Sequence, residues 1–353
     1  MEIYLVGGAV RDRLMNLPNT DRDWVIVGSS PDEMAALGYL QVGRDFPVFL
    51  HPESREEYAL ARTERKTGPG HGGFEFDTGP RVKLEEDLSR RDLTINAMAE
   101  DSEGNVIDPF GGRADLERKC LRHVSSAFAE DPLRVFRLAR FAAQLPGFSV
   151  AEETLTFARN MADNDELAEL SAERVWQEWC KSLGCEEPSA FLSVLHQCHA
   201  LDGWFRELRG LDLTYPGALD SPVHRFASLG WAIGSEAIKT LAERLKAPNE
   251  FRRLANRVAI HGSVLARWRE ARAQQVYLSV KAADGFKPDG GFEDLLTVVA
   301  ACSGENLVDL ATLCSAIRVE VVAAPFAAAG LSGAELGRAL DEARTRRIEE
   351  AQA

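Results

Sequence analysis

Two aspartates one residue apart, Asp21 and Asp23, open a stretch of alternating polar and apolar residues that ends at Gly28. Such alternation predicts a half-buried strand over 21–27, with both carboxylates on one side and Arg22 on the other. Carboxylates about 6–7 Å apart on one strand face are a platform for Mg²⁺, which takes hard oxygen ligands and shares its sphere with substrate phosphates. Just upstream, residues 3–6 read as a short apolar strand that ends in Gly7-Gly8 and continues as a helix over 9–15. At this turn the backbone of Gly8 can approach a polyphosphate without obstruction by a Cβ. Arg11, one turn into the helix, can add a charged fork to the same phosphates.

Two further groups have the residue types for nucleotide chemistry. Arg90, Arg91 and Asp92 fall where residues 84–98 read as helical, at what looks like a helix start. One arginine could clamp a triphosphate or a ribose; Asp92 could orient an arginine or accept from a ribose hydroxyl. Glu130-Asp131-Pro132 reads as another helix start, with Asp131 as the N-cap and Pro132 in the first helical position. Arg134, Arg137 and Arg140 then recur every three residues and form a basic stripe, while Val135, Leu138, Ala139 and Phe141 face the core. Arginine rather than lysine beside an aspartate suits planar, bidentate recognition. The cysteines and histidines at 180, 185, 196 and 199 miss the usual zinc spacings and read as buried thiols and surface histidines.

The elements that must position these groups change character along the chain. The first 110 or so residues read as α/β, with further strands over 46–50 and 57–63, antiparallel neighbours, and an edge strand at 106–107. Residues 66–81 carry five Gly and two Pro and are expected to form a loop without regular structure. Beyond residue 125 the apolar spacing is helical, notably over 133–141, 175–183, 191–195, 229–245 and 254–268. The expected fold is α+β: a mixed-sheet head over 1–125, then an elongated all-helical neck over 126–200, body over 201–275 and tail over 276–353.

Composition narrows the class. The chain has 353 residues, 45% hydrophobic and 27% charged, which excludes intrinsic disorder. No apolar run reads as long enough to span a membrane, no signal peptide is readable, and six scattered cysteines suit reduced thiols, so a cytoplasmic location is expected. The net charge of −14 excludes binding of nucleic acid through bulk positive charge. Any RNA contact must be a local patch, with salt-sensitive affinity.

Taken in order, these residues resemble the motifs of the bacterial-type CCA-adding enzymes, tRNA nucleotidyltransferases of the polymerase-β-like superfamily. Gly7-Gly8-Ala9-Val10-Arg11-Asp12 with Asp21-Arg22-Asp23 is similar to the first motif. Arg90-Arg91-Asp92-Leu93-Thr94-Ile95-Asn96-Ala97 is similar to the second and Asp108-Pro109-Phe110-Gly111-Gly112 to the third. Glu130-Asp131-Pro132-Leu133-Arg134 with Arg137 and Arg140 resembles the fourth, and Ser171-Ala172-Glu173-Arg174 the fifth. Residues 330–347 look like the family's C-terminal tail.

The resemblance implies addition of 3′-terminal CCA to tRNA from CTP and ATP, without a nucleic-acid template, by two Mg²⁺ ions on Asp21 and Asp23. It implies nucleotide binding by Gly8, Arg11, Arg91, Asp92, Asp131, Arg134, Arg137 and Arg140, with Asp131 and Arg134 reading the base. The glycine-rich stretch over 66–81 matches the family's loop for switching between CTP and ATP, which favours complete CCA addition. An A-adding or CC-adding specialist and a poly(A) polymerase are the alternatives, and a non-enzymatic tRNA-binding scaffold is more distant. Partners are tRNA, CTP and ATP, with neither membrane nor DNA; monomer and weak dimer both stay open. The chain has no His-Asp dipeptide, so the phosphohydrolase activity of longer relatives is not expected. Arg225, Arg244, Arg252, Arg253 and Arg257 could meet tRNA phosphates or be solvated.

Overall fold

The computed structural model describes the chain except for residues 19–21, 43–47, 67–73, 78, 212 and 213. It divides into two compact units, Met1–Gly203 and Trp204–Ala353. As expected, a mixed sheet at the N-terminus precedes a chain that is otherwise helical.

In the first unit β1 (Glu2–Val6) leads into α1 (Gly8–Leu14), followed by β2 (Asp23–Val27), α2 (Pro31–Ala36), β3 (Leu40–Val42), β4 (Val48–Leu50) and β5 (Glu57–Leu60). Next come β6 (Thr63–Lys66), β7 (Phe74–Asp77), α3 (Leu84–Ser89), β8 (Ala99–Glu100), β9 (Val106–Ile107) and α4 (Gly112–Glu117). Seven strands form one sheet in the order β3-β4-β5-β2-β1-β8-β9, in which only β2 and β5 run parallel. Alternation splits the side chains between two cores. Val6 and Val25 pack with Leu88 and Ala97 on one face; Ile26, Phe49 and Leu60 enclose Met34 of α2 on the other.

Two expectations for this region need correction. Residues 84–98 are not one helix: α3 stops at Ser89, Arg90 is its C-cap, and a 3-10 turn follows at Thr94–Asn96. Asp92 therefore lies between two helical turns and does not start a helix. Within the glycine-rich stretch, Phe74–Asp77 is a strand, paired antiparallel with Thr63–Lys66. The alternating Phe-Glu-Phe-Asp was a strand signal that the flanking glycines obscured; residues 67–73 and 78 of the expected loop lie outside the described residues.

The helical part of this unit comprises α5 (Leu133–Gln144), α6 (Glu152–Asp163), α7 (Ala172–Leu183), α8 (Ser189–Gln197) and α9 (Leu201–Trp204), with β10 (Cys120–Leu121) and β11 (Ser149–Val150) pairing between them. Val135, Phe136, Leu138 and Ala139 of α5 are buried, and the helix packs on α7 and α8.

The second unit holds α10 (Pro222–Arg244), α11 (Asn249–Ala266), α12 (Ala273–Ala282), α13 (Phe292–Ser303), α14 (Val308–Glu320), α15 (Ala323–Ala328) and α16 (Gly333–Gln352). At Gly230 a Cβ would sit 2.2 Å from the Ala255 carbonyl oxygen, so glycine is what lets α10 and α11 touch there. Tyr277 and Lys281 of α12 both donate to Asp341 of α16, which fixes the last helix. Arg244 pairs with Glu207 and Arg257 with Asp284, so these two arginines serve the packing of this unit.

One sequence expectation here was too strict. The run Val308–Ala328, mean hydropathy 1.5, is long and apolar enough to cross a membrane by length and composition. It is not one helix, because Val322 is extended (φ −109°, ψ 162°) between α14 and α15.

Candidate active site

The site is built where β1 turns into α1. Gly7 has φ 72° and ψ −135°, a conformation open to glycine, and a Cβ there would lie 2.8 Å from Nη1 of Arg91. A Cβ at Gly8 would meet only Arg11, at an ordinary 3.5 Å. No side chain caps α1. Nothing described in the protein therefore demands glycine at position 8, whereas close approach by a ligand would.

Strand register sets the acidic side. Asp23 pairs with Val6, one residue before the glycine turn, and with Glu57 on the neighbouring β5. Paired residues share a face, so the Asp23 and Glu57 carboxylates head the same side. Glu56 faces the other way, accepting from the Trp24 indole at 3.2 Å and pairing with Arg22. The Asp23 side chain is exposed and has no hydrogen bond or ion pair among the described residues. Asp21 lies outside the described residues. Among those described, no three His, Cys, Asp or Glu side chains form a metal cluster. The donor chemistry at Asp23 nevertheless fits Mg²⁺: an unengaged carboxylate oxygen is the hard ligand this ion prefers.

Arg11 is buried at 3% exposure. Its Nε donates to Asp12 at 2.7 Å and its Nη1 to Oδ1 of Asn96 at 2.7 Å. The amide nitrogen of Asn96 donates in turn to Asp92 at 3.1 Å. Asp92 also receives Nε and Nη2 of Arg137, at 2.8 and 2.6 Å, on its other oxygen. Burial pushes the Asp92 carboxyl up, but the charge of Arg137 and the bonds from Asn96 and Arg137 outweigh it and hold the group well below the usual carboxylate range. The same pair raises Arg137. A continuous polar chain thus runs from α1 through the 3-10 turn to α5.

Arg91 sits beneath the glycine turn. It donates to the Asn96 carbonyl at 3.4 Å and to Asp87 at 3.5 Å, while its buried Nε has no partner among the described residues. Burial lowers its pKa, opposed by Asp87, Asp23 and Asp92. Asp87 is fully buried and also takes two bonds from Arg90.

On α5 the helix begins one residue later than the spacing predicts, at Leu133, although an Asp131 oxygen still accepts from the Leu133 N–H at 3.1 Å. Asp131 is held by Arg174 of α7 at 3.0 Å. Arg134 is buried and donates to the carbonyls of Ala127 and Arg90. Arg140 pairs with Glu178 of α7 at 2.5 Å and donates to Gln144. The three-residue arginine stripe is therefore not a solvated face; each guanidinium has an internal anchor. The structure brings Gly8, Arg11, Arg91, Asp92, Arg137 and Arg140 together, with Asp131 and Arg134 at the head of the same helix.

Four residues at the site are not among those the sequence reading singles out. Asn96 falls within the second motif, and its side chain links Arg11 to Asp92. Asp87 and Glu178 carried a readable signal, since each is an acid on the buried stripe of an amphipathic helix, beside Leu88 and Trp179. The apolar spacing places Phe141 in the core; it is buried, but the guanidinium groups of Arg11, Arg137 and Arg140 all lie against its ring.

Residues 3–122 match the family described as the poly A polymerase head domain, and residues 147–211 the one described as a probable RNA and SrmB-binding site of polymerase A. The chain is 48% identical to the CCA-adding enzyme of Pseudomonas putida (strain W619), over 98% of this chain and 96% of that protein. It is 44% identical to the multifunctional CCA protein of Pseudomonas aeruginosa, over 98% and 97% of the two chains. The crystal structure of the Bacillus stearothermophilus CCA-adding enzyme in complex with CTP superposes with a TM-score of 0.73, at 26% identity, covering 99% of this chain and 89% of that one. Motif order, fold and near-complete coverage agree: the chain belongs to the CCA-adding enzymes.

Proposed function

We propose that this protein adds C, C and A in turn to the 3′ end of tRNA from CTP and ATP, without a nucleic-acid template, releasing pyrophosphate. The observation that carries the reading is the polar chain Arg11–Asn96–Asp92–Arg137, which ties the glycine turn of the head to the arginine-bearing helix α5. It lets phosphate-binding and base-reading groups act on one nucleotide. Gly8, Arg11, Arg91, Arg137 and Arg140 hold the triphosphate and ribose, with Asp92 fixing Arg137.

Asp131 and Arg134 select the base. A carboxylate accepts from the exocyclic amine of cytosine or adenine, and an arginine donates to the adjacent ring nitrogen. Uracil and guanine present the opposite polarity and would leave buried groups unpaired, which discriminates strongly. Leu133 and Arg174 make three bonds to Asp131, and a carboxylate has about four acceptor sites, so one stays available.

Nucleotidyltransferases of this kind use a divalent metal. Asp21 and Asp23 would hold two Mg²⁺, which supply charge neutralisation for the 3′-hydroxyl and the leaving pyrophosphate. The protein's own contribution is positioning. Residues 276–353 are the tRNA-binding tail in this reading, and the reaction takes place in the cytoplasm.

The test is extension of tRNA that ends at the discriminator base, with Mg²⁺ and CTP, ATP or both. Two added residues with CTP alone and three with both are expected. One A on CC-ended tRNA and nothing on the shorter substrate marks an A-adding specialist, and a long A tract marks a poly(A) polymerase. No incorporation by folded protein overturns the enzymatic reading.

A further inference from the structure

We propose that the ring of Phe141 is a positioning platform that sets the spacing of the Arg11, Arg137 and Arg140 guanidinium groups for the incoming nucleoside triphosphate. The proposal rests on the nucleotide-binding reading above and adds a residue to it.

Three guanidinium carbons lie 5.4, 5.7 and 4.1 Å from the centre of this one ring, which is 5% exposed. Like charges at this density repel, and an aromatic face opposes that repulsion because its quadrupole is negative. Each guanidinium is anchored on a different partner: Arg11 on Asp12 and Asn96, Arg137 on Asp92, Arg140 on Glu178 and Gln144. The anchors come from four segments of the chain, and among the described residues the ring is the one group that all three arginines share. Among the described residues, Nη1 of Arg137 and Nη2 of Arg140 donate to nothing. Two planar forks with donors left over, held at a fixed separation, suit a ligand with several anionic oxygens. An aliphatic side chain of similar volume would fill the space at Phe141 but would give the arginines no face to rest on.

The experiment measures CTP binding by calorimetric titration of the full chain, as parent and as Phe141→Leu, Phe141→Tyr and Phe136→Leu, with a thermal melt of each. Phe136 lies on the same helix, is fully buried and packs against Phe191, so it controls for loosening of the core. Phe141→Leu should weaken CTP binding about tenfold, with the KM for tRNA unchanged. Phe141→Tyr should recover CTP affinity to within about twofold, and Phe136→Leu should leave it at the parent value even where its melting point falls. Parent-like CTP affinity in Phe141→Leu overturns the proposal. So does an equal loss in Phe136→Leu, or a Phe141→Tyr variant as weak as Phe141→Leu, since either makes the effect one of packing. Because the readout is binding, a parent that binds CTP but extends no tRNA defeats the proposed function and leaves this test standing; a parent that does not bind CTP overturns both.

Discussion

Asp92 receives two hydrogen bonds from Arg137, at 2.8 and 2.6 Å, and so joins the segment after α3 to the middle of α5. The carboxylate is almost fully buried and would be costly without this partner. Its pKa in the folded protein lies below that of the unfolded chain. The unfolded state therefore binds the proton first as pH falls. The contribution of the pair is complete above the ordinary aspartate range, about pH 4, and is lost progressively as pH drops through the folded value. Asp92→Asn should destabilise the protein at pH 7 by about 1–3 kcal/mol and flatten the acid limb of stability against pH. Denaturant titrations between pH 7 and 2 check this; an unchanged acid limb contradicts the ion pair.

Asp23→Ala removes a carboxylate that no described protein group uses. Stability should stay within about 0.5 kcal/mol of the parent and tRNA binding should persist, while incorporation falls by more than about 100-fold. A filter-binding assay beside the extension assay separates these effects. Substantial activity in the variant would refute the metal assignment.

Arg134 anchors on the carbonyls of Ala127 and Arg90, so truncation to alanine would disturb packing as well as selection. Arg134→Lys keeps the charge and loses the planar fork. The ratio of kcat/KM for CTP over UTP should fall at least about tenfold, more than CTP affinity does. Selectivity equal to the parent's, in a variant that melts normally, would remove Arg134 from base reading.

At Gly7 the backbone conformation disfavours a side chain, and a Cβ there would push the Arg91 guanidinium aside. Gly7→Ala should cost about 1–3 kcal/mol and weaken triphosphate binding by displacing Arg91. Gly8→Ala should melt like the parent, because its Cβ has ordinary room, yet bind CTP less well if phosphates approach the backbone there. Thermal melts and CTP titrations of the two variants distinguish strain from ligand clash.

The legible and illegible parts of this molecule differ in a physical way. Strands β1 and β2 and helices α1, α5 and α7 show in the sequence because period-2 and period-3.6 burial patterns are local. The end of α3 at Ser89 was not legible, since residues 90–98 contain no proline or glycine to stop a helix and only tertiary packing makes them a turn. The charged residues of α5 had the right identity, but their partners did not show. Arg140 with Glu178 and Arg137 with Asp92 are separated by 38 and 45 positions, and no local pattern encodes such pairs. What the sequence did contain was their complement, buried-face acids at Asp87 and Glu178 that demand a cation. Phe141 fits an apolar stripe as well as it fits a cation platform, so periodicity alone could not separate the two.

The most direct test of template-independent CCA synthesis supplies all four nucleoside triphosphates at equal concentration to tRNA ending at the discriminator base and sequences the 3′ ends. Extended molecules should end overwhelmingly in CCA and stop there. Mixed bases, or A tracts without the two cytidines, would contradict it.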